Sequence, residues 1–156
     1  MVRPLIANLP VRAALLGVLA LFAGACSERP VGDPTNAEQV AAGKRGYDAH
    51  CASCHGAKLE GQPNWRQRLP NGKFPAPPHD ATGHTWHHSD ALLFDMIKRG
   101  VEPHAPPGYQ SDMPAFGERL GDSEIAAVLA YIKSTWPAET RQWQAKVSAD
   151  EPRLRR

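Results

Sequence analysis

Residues 51–55 read Cys-Ala-Ser-Cys-His. Two thiols separated by two residues and followed at once by an imidazole form the C-x-x-C-H pattern of covalent c-type haem attachment. Cys51 and Cys54 are spaced for two thioether bonds to the haem vinyl groups. His55 then brings its imidazole under the iron as the proximal ligand. Two other chemistries use paired thiols. A dithiol redox pair needs no histidine directly after its second cysteine. A zinc site needs four ligands, and the chain has three cysteines, with no second pair to complete the set. The reading is one covalent haem c. Only Cys26 is left over, so no disulfide framework can form.

An iron held by His55 has a second face. Met113 is the best candidate for it, because a thioether opposite an imidazole gives a low-spin haem of raised potential suited to electron transfer. It lies in a loop, followed by Pro114, which stiffens the chain, and by Phe116, which can seal the haem edge. His104, in the same loop, is the rival, since two imidazoles also make a stable haem. Met96 falls on the apolar side of a helix and reads as core filling. A site with neither ligand would be open for a haem sensor or enzyme, although no distal acid–base pair is evident.

The elements that position these groups are helical. The first helix is expected from about Ala37 to His50, leading into the cysteines. Gly43 and Tyr47 share one of its faces. Glycine costs a helix about 1 kcal/mol against alanine, so Gly43 suggests a second backbone passing close by. The second helix is expected from Asp90 to Arg99. Ser89 is its N-cap, Lys98 and Arg99 suit its last turn, and Gly100 stops it. The third is expected from Asp122 to about Thr135, where Ile125, Val128, Leu129, Tyr131 and Ile132 repeat with helical period and Pro137 ends the run. Between the first two helices, Gly56 to His88 is rich in Pro, Gly and His and shows no convincing strand. The fold class is all-α, three main helices with long loops wrapped around one haem that supplies much of the core.

The N-terminus points to export. Arg3 and Arg12 precede an unbroken apolar run from Ala13 to Ala25. That run is short for a bilayer span, which needs roughly 20 residues, and suits a signal h-region of about 7–15. Residues 1–25 therefore read as a signal peptide. Small residues before Cys26 resemble a bacterial lipobox, imperfectly, since Ala23 stands where leucine is favoured. Cys26 is the candidate lipid attachment site, with ordinary cleavage after Ala25 and an uncleaved anchor as alternatives. Residues 26–36 read as a flexible tether, 37–136 as one domain, and 137–156 as a polar, partly disordered extension with a short surface helix around Glu139–Val147. The expected location is periplasmic or otherwise extracytoplasmic, anchored to a membrane surface through the N-terminus. The chain has 18 Lys and Arg against 16 Asp and Glu. The signal holds two of the arginines and no acid, so the remaining chain is balanced and nucleic-acid binding has no support.

The order of Gly43 and Tyr47, Cys-Ala-Ser-Cys-His, a capped middle helix, Met113-Pro114, then Val128 and Tyr131 resembles a class I c-type cytochrome over roughly residues 37–136. The resemblance implies that the first and last helices cross near the haem, with Gly43 and Tyr47 meeting Val128 and Tyr131. It implies His55 and Met113 as axial ligands, and a proline carbonyl on the proximal imidazole, for which Pro63 is the expected residue. Trp65, Arg66 and Arg68 are candidates to bond the haem propionates. The implied activity is that of a mono-haem electron carrier, not an enzyme, docking transiently with redox proteins. One feature stands apart. His79, His84, His87 and His88 fall within ten residues, and imidazoles at that density could bind copper or zinc. A metal-binding protein using this cluster is the alternative reading.

Overall fold

In the computed structural model the described residues are 32–150. They contain five α-helices: α1 (Ala37–His50), α2 (Ala52–His55), α3 (Asp90–Arg99), α4 (Asp122–Ser134) and α5 (Ala138–Asp150). Two 3-10 turns, Thr85–His87 and Glu102–His104, lie in the loops. No strand occurs among the described residues. The three expected helices stand within a residue of their anticipated ends. Local chemistry explains why. The Asn36 carbonyl Oδ1 accepts from Gln39 N–H at 3.0 Å at the start of α1. Ser89 Oγ accepts from Leu92 N–H at 3.1 Å at the start of α3, and Gly100, at φ 88°, ends it. Glu124 Oε2 takes the Gly121 N–H at 2.8 Å at the start of α4.

Helices α1 and α4 cross at a point where side chains are nearly absent. A Cβ built on Gly43 would lie 1.8 Å from the Ala127 carbonyl oxygen and 3.0 Å from Tyr131 Cβ. Gly43 therefore meets the Ala127 backbone and Tyr131, whereas Val128 is met one turn later by Gly46, where an added Cβ would lie 3.1 Å from its Cγ2. Tyr47 is fully buried, its ring 5.4 Å from that of Tyr131. It joins Leu59, Val128, Ile132 and Trp136 in one apolar cluster. Phe116, Leu120 and Ile125 form a second, with Phe94, Ile97 and Met113 packed on it.

A buried polar junction joins α3, α4 and α5. Lys133 Nζ donates to both Asp90 carboxylate oxygens at 2.9 and 2.8 Å. Gln144 Nε2 donates to Asp90 Oδ1 at 2.8 Å and to Ser148 Oγ at 2.9 Å, and Ser148 Oγ also accepts from Asp90 N–H at 3.0 Å. Both ions of the pair are desolvated, so removing one partner costs about 3–5 kcal/mol. The same contacts make α5 longer and more firmly held than the short surface helix anticipated: its Gln144 is 1% exposed. Residues 151–156 lie outside the described residues.

Residues 32–36 depart from the expected flexible tether. Gly32 is buried against α4, at φ +77°, where a Cβ would fall 2.6 Å from the Ala126 carbonyl oxygen. Asp33 N–H donates to Gln39 Oε1 at 2.7 Å. These contacts fix the segment to both crossing helices. Cys26 and the signal segment lie outside the described residues.

Gly43→Ala would drive a methyl group into the Ala127 carbonyl. The expected loss is about 2–3 kcal/mol, read as a lower urea midpoint with unchanged slope.

Candidate functional site

The site starts at the end of α1. Cys51 N–H still donates to Tyr47 O at 2.8 Å, and the next turn closes as α2, with His55 N–H on Cys51 O at 2.9 Å. Cys51 is half-buried and Cys54 exposed, and no disulfide joins them. Burial, with a smaller contribution from Cys54, pushes the Cys51 thiol up to about 11. That is the reverse of the depressed thiol a dithiol redox pair needs.

After His55 the chain reverses at Gly56, φ 83°. Tyr47 Oη donates to the Gly56 carbonyl at 2.9 Å and locks the turn. Gly61 N–H returns to His55 O at 2.8 Å. Leu59, at φ 65°, then presents its carbonyl to His79 N–H at 2.8 Å. This pairing sets the register of the returning loop. It places the Pro77 carbonyl 2.9 Å from His55 Nδ1.

That contact decides the tautomer. A carbonyl can only accept, so Nδ1 carries the proton and Nε2 keeps its lone pair. His55 is 7% exposed. Its pKa is lowered by burial, opposed by the Pro77 bond, so the ring is kept in the neutral form a metal requires. The proline is Pro77 and not Pro63. Pro63 sits exposed on the outgoing side of the loop, four residues past the Leu59 clamp.

Around His55 the fold adds a second ring. His79 stacks on it with centroids 4.0 Å apart and planes 24° apart. His79 Nδ1 lies 2.8 Å from Thr85 Oγ1, and the His79 carbonyl accepts from Trp136 Nε1 at 2.8 Å. Burial, then the neighbouring His55 and His84, holds the His79 pKa well below the ordinary value. Nothing in the sequence spacing singled His79 out from its neighbours.

The Met113 loop is held separately. Phe116 N–H and Gly117 N–H donate to Ile97 O and Lys98 O, each at 2.9 Å, which pins the loop to the end of α3. Met113 is half-buried on the Phe116 cluster, its N–H on Ser111 Oγ at 3.1 Å. Lys73 pairs with Asp112, and Phe74 stacks on Tyr109 at 6.4 Å. The loop carrying Pro77 and the loop carrying Met113 are thereby tied together. His104, the rival ligand, has its Nε2 2.7 Å from Asp95 Oδ2. Met96 is half-buried on α3.

Trp65, Arg66 and Arg68 lie along the same loop. The Arg66 guanidinium sits 4.2 Å over the Trp65 ring and that of Arg68 4.4 Å over Phe74. The four clustered histidines disperse. His79 packs on His55, His84 on Trp65 at 5.2 Å, and His87 on Trp86 at 3.7 Å. His88 meets His84 edge-on at 5.5 Å. Among the described residues no three His, Cys, Asp or Glu side chains converge to hold a metal ion. Three of the four rings thus stack on different partners, while His84 and His88 stay in contact.

The site and the helical frame define a covalent haem protein. The family model for cytochrome c matches residues 40–136, and the chain belongs to that family, as a class I c-type cytochrome. It is 34% identical over 103 residues to cytochrome c-555 of Prosthecochloris aestuarii, covering 60% of this chain and 84% of the relative. The solved structure of cytochrome CL from Methylophaga aminisulfidivorans MPT is similar with a TM-score of 0.46 at 21% identity, covering 78% of this chain and 71% of that one. Family membership makes the fold the all-α cytochrome c fold, the cofactor one covalent haem c and the general role electron transfer. The donor set fits that group: two thiols at the required spacing and an imidazole whose free nitrogen is fixed by Pro77.

Stacking on Trp65 and the edge-on contact with His88 help bury the His84 ring. Its pKa is lowered from 6.5, by burial first and then by His88, His87 and Arg66. The folded state thus binds fewer protons than the unfolded chain. Its contribution to stability is present above pH 6.5 and is lost as pH falls below it. In His84→Gln the fall of the urea midpoint on acidification should be shallower than in the parent.

Proposed function

We propose that the chain is a mono-haem electron carrier in which Cys51 and Cys54 form the thioethers and His55 Nε2 and Met113 Sδ are the axial ligands. The carrying observation is the His55 Nδ1 bond to Pro77, which leaves Nε2 as the donor. When bound, the haem supplies a one-electron ferric/ferrous couple. The protein's own residues do the rest. Pro77 and the turn at Gly56 orient the proximal imidazole. The Phe116 cluster supports Met113. A thioether raises the potential by favouring ferrous iron. Ligand chemistry, a thioether opposite an imidazole, supports methionine over His104 as the sixth ligand.

The partners in this reading are redox proteins, bound weakly and briefly in an extracytoplasmic space. The signal-like segment and the small residues before Cys26 support export and lipid attachment at Cys26. Among the described residues no helix is long and apolar enough to cross a membrane.

The ferric protein should show the weak red charge-transfer band of methionine-ligated haem. Met113→Ala should abolish it and His104→Ala should leave it intact; the opposite pattern would move the sixth ligand to His104. Cys26→Ser should shift the protein from the membrane to the soluble fraction. Unchanged fractionation would remove the lipid anchor.

A further inference from the structure

We propose that His79 is a positioning residue for the haem iron: its ring, stacked on His55, sets the plane of the proximal imidazole. This rests on the reading that His55 is an axial ligand. The bond to Pro77 fixes one atom of the His55 ring. A single hydrogen bond leaves the ring free to rock about its own axis. A flat neighbour at contact distance removes that freedom, and His79 lies at 4.0 Å and 24°.

For His79 to position His55 it must itself be more firmly held. Its backbone N–H is on Leu59 O at 2.8 Å. Its carbonyl takes the Trp136 indole N–H at 2.8 Å, and Trp136 is 1% exposed at the end of α4. Its Nδ1 meets Thr85 Oγ1 at 2.8 Å, and that hydroxyl also lies 3.5 Å from Pro78 O. The 2.8 Å bond holds the His79 ring in either tautomer, since the hydroxyl can donate or accept. The Tyr47 ring closes the edge, 6.4 Å away and nearly perpendicular. Leu59 and the Trp136 indole thus fix the His79 main chain, and Thr85 and Tyr47 hold its ring. One face of that ring is pressed on His55. Ligand orientation is a usual task of the groups around a metal's direct ligands.

The plane of an axial imidazole governs how unpaired spin spreads over the haem in the ferric state. The proton shifts of the four haem methyl groups report it. The test compares those shifts in the holoprotein with His79→Phe, His79→Leu and Thr85→Val. Phenylalanine keeps a stacking ring and should keep the parental order of methyl resonances. Leucine, of similar bulk but not flat, should change that order and alter the reduction potential. Thr85→Val, which releases Nδ1, should move the shifts in the leucine direction by a smaller amount. The proposal is overturned if leucine and Thr85→Val both retain the parental order, or if phenylalanine behaves as leucine does. Should the leucine variant fail to load haem, Thr85→Val alone decides, parental shifts counting against. Failure of methionine ligation would appear as a missing red band in the parent protein, a separate observation from the methyl order.

Discussion

The hydrogen bond between His55 Nδ1 and the Pro77 carbonyl spans 22 residues of chain at 2.9 Å. It assigns the tautomer, holds the ring and leaves Nε2 as the nitrogen with a free lone pair. Much of the loop's irregular geometry serves it. Gly56 and Leu59 adopt positive φ so that the chain can reverse and offer the Leu59 carbonyl to His79. Tyr47, deep in the helix crossing, holds the reversal through Gly56 O. Trp136, at the far end of α4, holds the returning strand of the loop through His79 O. Two aromatic polar groups that the apolar core buries therefore spend their hydrogen bonds on the proximal loop.

Those two aromatics are in place because α1 and α4 approach closely. Gly43 against the Ala127 carbonyl lets the helices touch backbone to backbone, which brings Tyr47 onto Val128, Ile132 and Trp136. The opposite side of the site depends on α3, whose last carbonyls hold the Met113 loop. Helix α3 is in turn anchored at its first turn by Lys133 and Gln144 on Asp90. A displacement of α5 would thus be felt, through Asp90 and α3, at the methionine. The extension beyond the matched residues 40–136 is part of the scaffold that holds α3 and, through it, the Met113 loop.

The covalent motif was legible because thioether chemistry dictates both residue type and spacing. The helix ends were legible where a cap was written in the chain, as at Ser89 and Gly100. The choice among the loop prolines was not. Each proline carbonyl is chemically equivalent, and the one that reaches His55 is selected by the Leu59–His79 pairing, a long-range register with no local mark. Helix α5 hid its importance because the group it buries is a glutamine and not an apolar stripe. Residues 32–36 looked like linker because Gly, Pro and Thr serve equally in a turn packed on a helix. The packing of the histidine cluster was hidden for a related reason: proximity in sequence does not say which ring meets which, and His79, His84 and His87 stack on His55, Trp65 and Trp86 while His88 stays on His84.

The central claim is that Met113 lies on the iron opposite His55. The most direct measurement is the proton spectrum of the reduced holoprotein, with the methionine methyl groups assigned. Ring current shifts the methyl of an axial methionine far upfield of every other signal. The account requires that signal to belong to Met113. Its absence, or its assignment to Met96, would contradict the placement of the sixth ligand.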